Sequence, residues 1–183
     1  MEINSNLELL FEKIKEFSSH SDAKVYGTDY WKICHKLADA QYYPAKMFFI
    51  EKLDDPRKDW RKVSISLLGF HYQLEPNTIE KIRQLLRYDP DASVRMDSAG
   101  VLGVKGLFPE KVLADALEFD SDAFVREAAF SAILELAKVP YKTRIKENKN
   151  IREGKISANL DQVKRILYDE KMLKEVSQLS NIL

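Results

Sequence analysis

The fold is decided by a stretch of fifteen residues, 89–103, that reads DPDASVRMDSAGVLG. It begins with an Asp-Pro pair, which is typical of a turn, and continues with Val94 and Arg95. Apolar and small residues recur four, five, seven and eight positions after Val94, and this spacing places them on one face of an α-helix. The stretch therefore predicts a tight turn followed by an amphipathic helix.

Two further copies of this stretch occur in the chain, at residues 55–69 and 120–134. They read DPRKDWRKVSISLLG and DSDAFVREAAFSAIL, and they align with the first stretch without gaps. Trp60 and Val125 take the place of Val94, so the copies follow one another after 34 and 31 residues. A period in this range is typical of stacked structural repeats, in which no single repeat can bury its apolar face alone.

A shorter amphipathic run precedes each copy, at residues 44–53, 78–88 and 110–119. Each repeat is therefore predicted to contain a first helix, a turn and a second helix. Asp55, Asp89 and Asp120 are placed to cap the second helix of their repeat. Six Gly and six Pro residues leave little room for β-turns, which favours an all-α fold.

The repeated string Asp-x-x-x-x-Val-Arg-x-x-Ala-Ala-x-x-Leu-Gly resembles HEAT repeats, and most closely the short bacterial HEAT-like repeats named after phycobilisome lyases. The resemblance covers residues 44–138, about half of the chain. It implies an α-α superhelix, a HEAT-like α-solenoid of about three repeats. It also implies that the shared acidic and basic residues belong to the scaffold, namely Asp55, Asp89, Asp120, Arg61, Arg95 and Arg126.

The flanking segments are predicted to cap the repeats, so that residues 1–183 form a single domain. The N-terminal segment, 1–43, is predicted to contain helices at 4–17 and 29–43. Its many aromatic side chains are interpreted as core, or alternatively as an exposed anchor for a partner. The C-terminal segment, 139–183, starts with a Lys- and Arg-rich run up to residue 155, interpreted as a polar linker or a frayed helix. One or two closing helices follow at 160–183.

The sequence contains no pattern that indicates catalysis, a metal site or a cofactor, and we predict a protein that is not an enzyme. The three histidines, His20, His35 and His71, lack the spacing of metal ligands. Cys34 is the single cysteine, which excludes an internal disulfide, and adjacent His35 points about 100° away from it on a helix. Glycine-rich phosphate loops and the GxSxG and HExxH motifs do not occur.

The charge balance argues against a dedicated nucleic-acid-binding protein, since 29 Lys and Arg residues are matched by 29 Asp and Glu residues. The distribution is uneven, because eleven basic and six acidic residues follow from Lys138 onward. No apolar run has the length of a membrane span, and the N-terminus is acidic and amphipathic, unlike a secretion signal. We therefore expect a cytoplasmic protein without membrane contact.

These observations predict a protein–protein interaction module that is an adaptor or an inhibitor of one protein partner, for example an immunity protein that neutralises a toxin. Stacked second helices commonly present a concave recognition surface. Its exposed positions are predicted at Lys62, Ser66, Phe70, Met96, Gly100, Glu127, Ser131 and Glu135. Two alternatives stay open: a nucleic-acid-binding HEAT-like protein that uses residues 142–155, and a lyase-like or chaperone-like HEAT protein.

Overall fold

The structure is a computed structural model that describes residues 2–20 and 24–182. Within these ranges the chain forms α-helices and no strands, which confirms the predicted all-α repeat fold. The helices are α1 (Glu2–Ser19), α2 (Asp29–Asp39), α3 (Tyr43–Lys52), α4 (Lys58–His71), α5 (Pro76–Tyr88), α6 (Ala92–Lys105), α7 (Lys111–Phe119), α8 (Ala123–Leu136), α9 (Tyr141–Arg152), α10 (Leu160–Asp169) and α11 (Leu173–Ser180). None of these helices combines the length and the apolar character needed to cross a membrane.

The helices divide into two compact units, one up to Thr78 and one from Ile79 onward. The first unit contains α1 to α4 and with them the first copy of the repeat. The second unit contains most of α5, the second and third copies, and the C-terminal helices.

The second helices of the three copies, α4, α6 and α8, have the same length and the same register. Each contains 14 residues and begins two residues before the aligned position. The aligned side chains, Trp60, Val94 and Val125, are fully buried. The predicted apolar stripe therefore forms the core-facing side of these helices.

A glycine sets the distance between the two second helices of the second unit. A Cβ atom added to Gly103 in α6 would lie 2.8 Å from the Cα and Cβ atoms of Ala132 in α8. Real Cβ atoms essentially never approach so closely. The close packing of α6 against α8 therefore requires glycine at this position.

The repeat aspartates do not cap the second helices, and this part of the prediction is wrong. The N-cap residues are Arg57, Asp91 and Asp122, two positions later than predicted. Asp91 accepts a hydrogen bond from Ser93 N at 2.9 Å, and Asp122 accepts one from Phe124 N at 2.8 Å. The difference arises because an aspartate can also close the turn that leads into a helix, by bonding the backbone two residues later.

Residues 141–152 form the helix α9 and not the polar linker that was one interpretation of this run. Gly154 follows in the left-handed conformation, with φ of 69°, and Lys155 N donates to Asn150 O at 2.8 Å, as in a common C-terminal helix motif. Side-chain contacts with other helices stabilise α9, and these contacts cannot be deduced from a local sequence pattern. They join Asn148 to Ser131, Arg144 to Glu135 and Thr143 to Glu170.

The aromatic residues of the first unit form a core between α1, α3 and α4. Trp60 lies with its ring centroid 5.7 Å from that of Phe48 and 6.2 Å from that of Phe17. Phe48 also meets Phe11 of α1 edge to face. Tyr43 points outward and is 65% exposed, so the core interpretation applies to most of these side chains and not to all of them.

Candidate functional site

The repeat arginines hold the turns of their own copies. Arg61 donates from Nη1 to the carbonyl oxygen of Asp55 at 2.8 Å. The equivalent bonds run from Arg95 to Asp89 at 2.9 Å and from Arg126 to Asp120 at 2.7 Å. The three guanidinium groups therefore take the same position in their copies and are engaged by backbone oxygen atoms.

The repeat aspartates close the same turns through their carboxylates. Oδ1 of Asp55 accepts from the N–H of residue 57 at 3.0 Å, and the equivalent bonds of Asp89 and Asp120 are both 2.9 Å long. All three residues are buried or half-buried. In this structure the shared acidic and basic residues build the turns.

The first and third copies differ in the partners of these carboxylates. Asp55 is paired with Arg57 of its own turn and with Lys52 at the end of α3, at 2.7 and 3.0 Å. Burial works to raise the pKa of Asp55, but hydrogen bonds from Arg57 and Lys52 outweigh it and lower the pKa to about 2. Asp120 is paired instead with Arg95 of the preceding copy through two bonds of 2.8 and 2.9 Å. Burial opposes these bonds too, and the pKa of Asp120 is nevertheless lowered.

The predicted binding positions of the first unit lie on α4. Lys62 and Ser66 are half-buried, and Phe70 is 62% exposed. The ammonium group of Lys62 lies 5.4 Å from the ring centroid of Tyr26, which precedes α2. Lys62 is therefore occupied by a cation–π contact within its own unit.

The predicted positions of the second unit converge on a cavity between helices. Met96, Glu127 and Ser131 line it, and its volume is about 470 Å³. We call it the α8–α9 groove, and its further lining residues are Phe124, Ala128, Asn148, Ile151 and Arg152. Gly100 is exposed outside this lining, and Glu135 accepts a hydrogen bond from Arg144 of α9.

The α8–α9 groove combines apolar side chains with two charges. Phe124 is 68% exposed at its edge, and Met96 and Ile151 are half-buried. Within the described part of the chain, Glu127 and Arg152 have neither an ion pair nor a side-chain hydrogen bond. The groove can therefore offer an apolar surface, an acid and a base to a bound molecule.

Sequence reasoning did not identify the residues that α9 contributes to the groove. Asn148, Ile151 and Arg152 belong to the run interpreted as a linker or a frayed helix. The spacing of Asn148, Ile151 and Arg152 on one helix face was an available signal, but only the folded chain shows which helix they face.

A second polar cluster lies in the first unit and does not form a comparable site. His71 Nδ1 lies 3.0 Å from Asp39 Oδ1, and the rings of His35 and His71 are 5.3 Å apart. Burial, together with the charge of His71, lowers the pKa of His35. Burial raises the pKa of Cys34 to about 12, which keeps its thiol protonated. In the ranges that the structure describes, no three potential ligands among His, Cys, Asp and Glu are grouped to hold a metal ion.

Comparison of the chain with protein-family models, with curated proteins and with solved structures finds no match. The candidate site is accordingly defined by the geometry of the groove.

Proposed function

We propose that this chain is a cytoplasmic, non-enzymatic HEAT-like repeat protein that binds one protein partner as an adaptor or an inhibitor. The α8–α9 groove is its binding site. The observation that carries the proposal is the exposed apolar surface of the groove, where Met96, Phe124 and Ile151 lie beside two unpaired charges. Aromatic, Met and Arg side chains are enriched in protein interfaces, and such a mixed surface fits a polypeptide.

The size and the setting of the groove support this function. Its volume of about 470 Å³ suits a few side chains of a partner. Its residues lie on helices, and the turns that begin α6 and α8 are fixed by the repeat aspartates and arginines. A rigid surface loses little conformational entropy on binding, which favours affinity.

Several cations of residues 142–155 are engaged in ion pairs, which disfavours a nucleic-acid partner, whereas Lys142 and Arg152 have no ion pair in the described chain. Arg144 is paired with Glu135, and both Lys149 and Lys155 are paired with Glu153. Nucleic-acid binding depends on Lys and Arg side chains that neutralise phosphate groups and release the counterions of the nucleic acid, and side chains already paired with a carboxylate contribute less to it.

Site-specific photo-crosslinking in the cells that express the protein tests the proposal. A photoreactive phenylalanine analogue replaces Phe124 at the edge of the groove, and the control replaces Tyr168 of α10, which is similarly exposed at 65%. We expect a discrete protein adduct from position 124 and not from position 168. No protein adduct at position 124, or the same adducts at both positions, would contradict the proposed function.

A further inference from the structure

The helices α8 and α9 run antiparallel and are joined by a regular series of side-chain contacts. Glu135 of α8 is bonded to Arg144 of α9. Ser131, one turn earlier in α8, is bonded to Asn148, which lies one turn later in α9. Each step of four residues along α8 therefore matches four residues in the opposite direction along α9. The next pair in this register is Glu127 and Arg152.

This third pair is not formed, although the two residues have opposite charges. Both line the α8–α9 groove, yet Glu127 and Arg152 form no ion pair within the 4.0 Å that defines one. The groove lies where an ion pair between Glu127 and Arg152 would bring α8 and α9 into contact. Met96 of α6 and Phe124 of α8 extend its lining beyond that pair.

The groove therefore presents opposite charges on its two helices, with apolar side chains between and beside them. Ala128 and Ile151 are the residues next to the two charges, and both line the groove. An amphipathic helix can place apolar side chains one turn apart into such a cleft between helices. Charged residues beside its apolar face can then reach Glu127 and Arg152.

We propose that the occupant is an amphipathic helical segment of the partner protein, with a basic residue that meets Glu127 and an acidic residue that meets Arg152. The apolar face of this segment contacts Met96, Phe124 and Ile151. This inference rests on the proposed function and adds the class and the orientation of the bound segment. Complementary charges fix register and suppress wrong partners, and an arginine can hold a carboxylate through two parallel hydrogen bonds.

A displayed library of short peptides tests the inference with the full chain as the target. The library fixes apolar residues at helical spacing and varies all other positions. We expect enriched peptides to carry one basic and one acidic residue at fixed positions beside the apolar face. The tightest of them should lose about tenfold or more in affinity for Glu127→Lys/Arg152→Glu, and exchanging its two charges should restore binding to that variant.

Two further variants keep the outcomes apart. Lys142→Glu changes an exposed charge of α9 outside the groove and should leave binding unchanged. Met96→Asp should abolish binding of every groove peptide. Peptides that depend on Met96 but bind the charge-reversed variant equally well would overturn the inference and leave the proposed function standing. A library from which no peptide depends on Met96 would overturn the helical occupant, and so would enrichment of Pro-rich peptides alone. The crosslink at position 124 then decides separately whether the proposed function stands.

Discussion

The first copy of the repeat and the third use the same aspartate in different ways. In the first unit Asp55 is paired with Arg57 inside its own turn, whereas in the second unit Asp120 is paired with Arg95 of the preceding copy. The residue at the N-cap position differs as well. It is Arg57 in the first copy and an aspartate, Asp91 or Asp122, in the other two.

Arg57 has a second role at the end of α1. Its guanidinium group donates to the carbonyl oxygens of His20 and Ser18, at 2.6 and 2.9 Å, where α1 ends. The last carbonyl groups of a helix lack partners within the helix, so Arg57 satisfies them. The same repeat sequence therefore secures a flanking helix in the first unit and joins two copies in the second unit.

The largest expected effect concerns the aligned core position, where the first copy has Trp60 and the third has Val125. Trp60→Ala should lower the free energy of unfolding by about 3–5 kcal/mol, because it removes the centre of the aromatic core. Val125→Ala should cost roughly 2 kcal/mol, since it removes two methyl groups. Urea unfolding followed by far-UV circular dichroism measures both. Equal losses would show that the two units do not differ in their cores.

Two glycines of α6 sharpen the comparison by testing how closely the second and third copies approach. Gly103→Ala should cost about 1–3 kcal/mol, because its Cβ would meet the backbone of Ala132 at 2.8 Å. Gly100→Ala should stabilise the protein by roughly 0.5–1 kcal/mol, because nothing lies within 4 Å of the added methyl group and alanine favours a helix. Thermal unfolding of both variants provides the measurement. A neutral Gly103→Ala would be inconsistent with the close packing.

Acid should weaken both units through their repeat aspartates. The pKa of Asp55 falls from 3.8 in the unfolded chain to about 2, so its ionised form stabilises the folded state above pH 3.8. That contribution, up to roughly 2 kcal/mol, is lost as the pH falls from about 4 to about 2. Asp55→Asn and Asp120→Asn should each flatten this part of the stability profile, measured by urea unfolding at a series of pH values. The exposed Glu118→Gln is the control, and a profile that neither aspartate variant changes would exclude this role.

The fold could be read from the sequence because the repeat is a local pattern. The stripe that follows Trp60, Val94 and Val125 specifies one helix face in each copy, and α4, α6 and α8 begin in the same register. The capping prediction was two residues early because aspartates occur at both candidate positions, as Asp89 and Asp91 show. Only backbone geometry distinguishes an aspartate that closes the turn from one that caps the helix.

The groove could be predicted only in part. Met96, Glu127 and Ser131 follow from helical spacing in the repeat, and the structure places them in the lining of one cavity. Asn148, Ile151 and Arg152 lie in a polar run without a clear apolar stripe, and α9 is fixed by contacts with α8 and α10. Such contacts between helices depend on the folded arrangement, so spacing along the chain does not indicate them.

A double-mutant cycle between Arg95 and Asp120 tests most directly whether the repeat residues join the copies of the second unit. Urea unfolding of Arg95→Ala, Asp120→Ala and the double variant gives the coupling free energy. We expect about 1–2 kcal/mol of coupling, because the two side chains share two short hydrogen bonds and are largely buried. Additive losses would contradict a link between the copies, and an Arg95→Ala variant of unchanged stability that no longer forms the adduct at position 124 would show that Arg95 serves binding and not the scaffold.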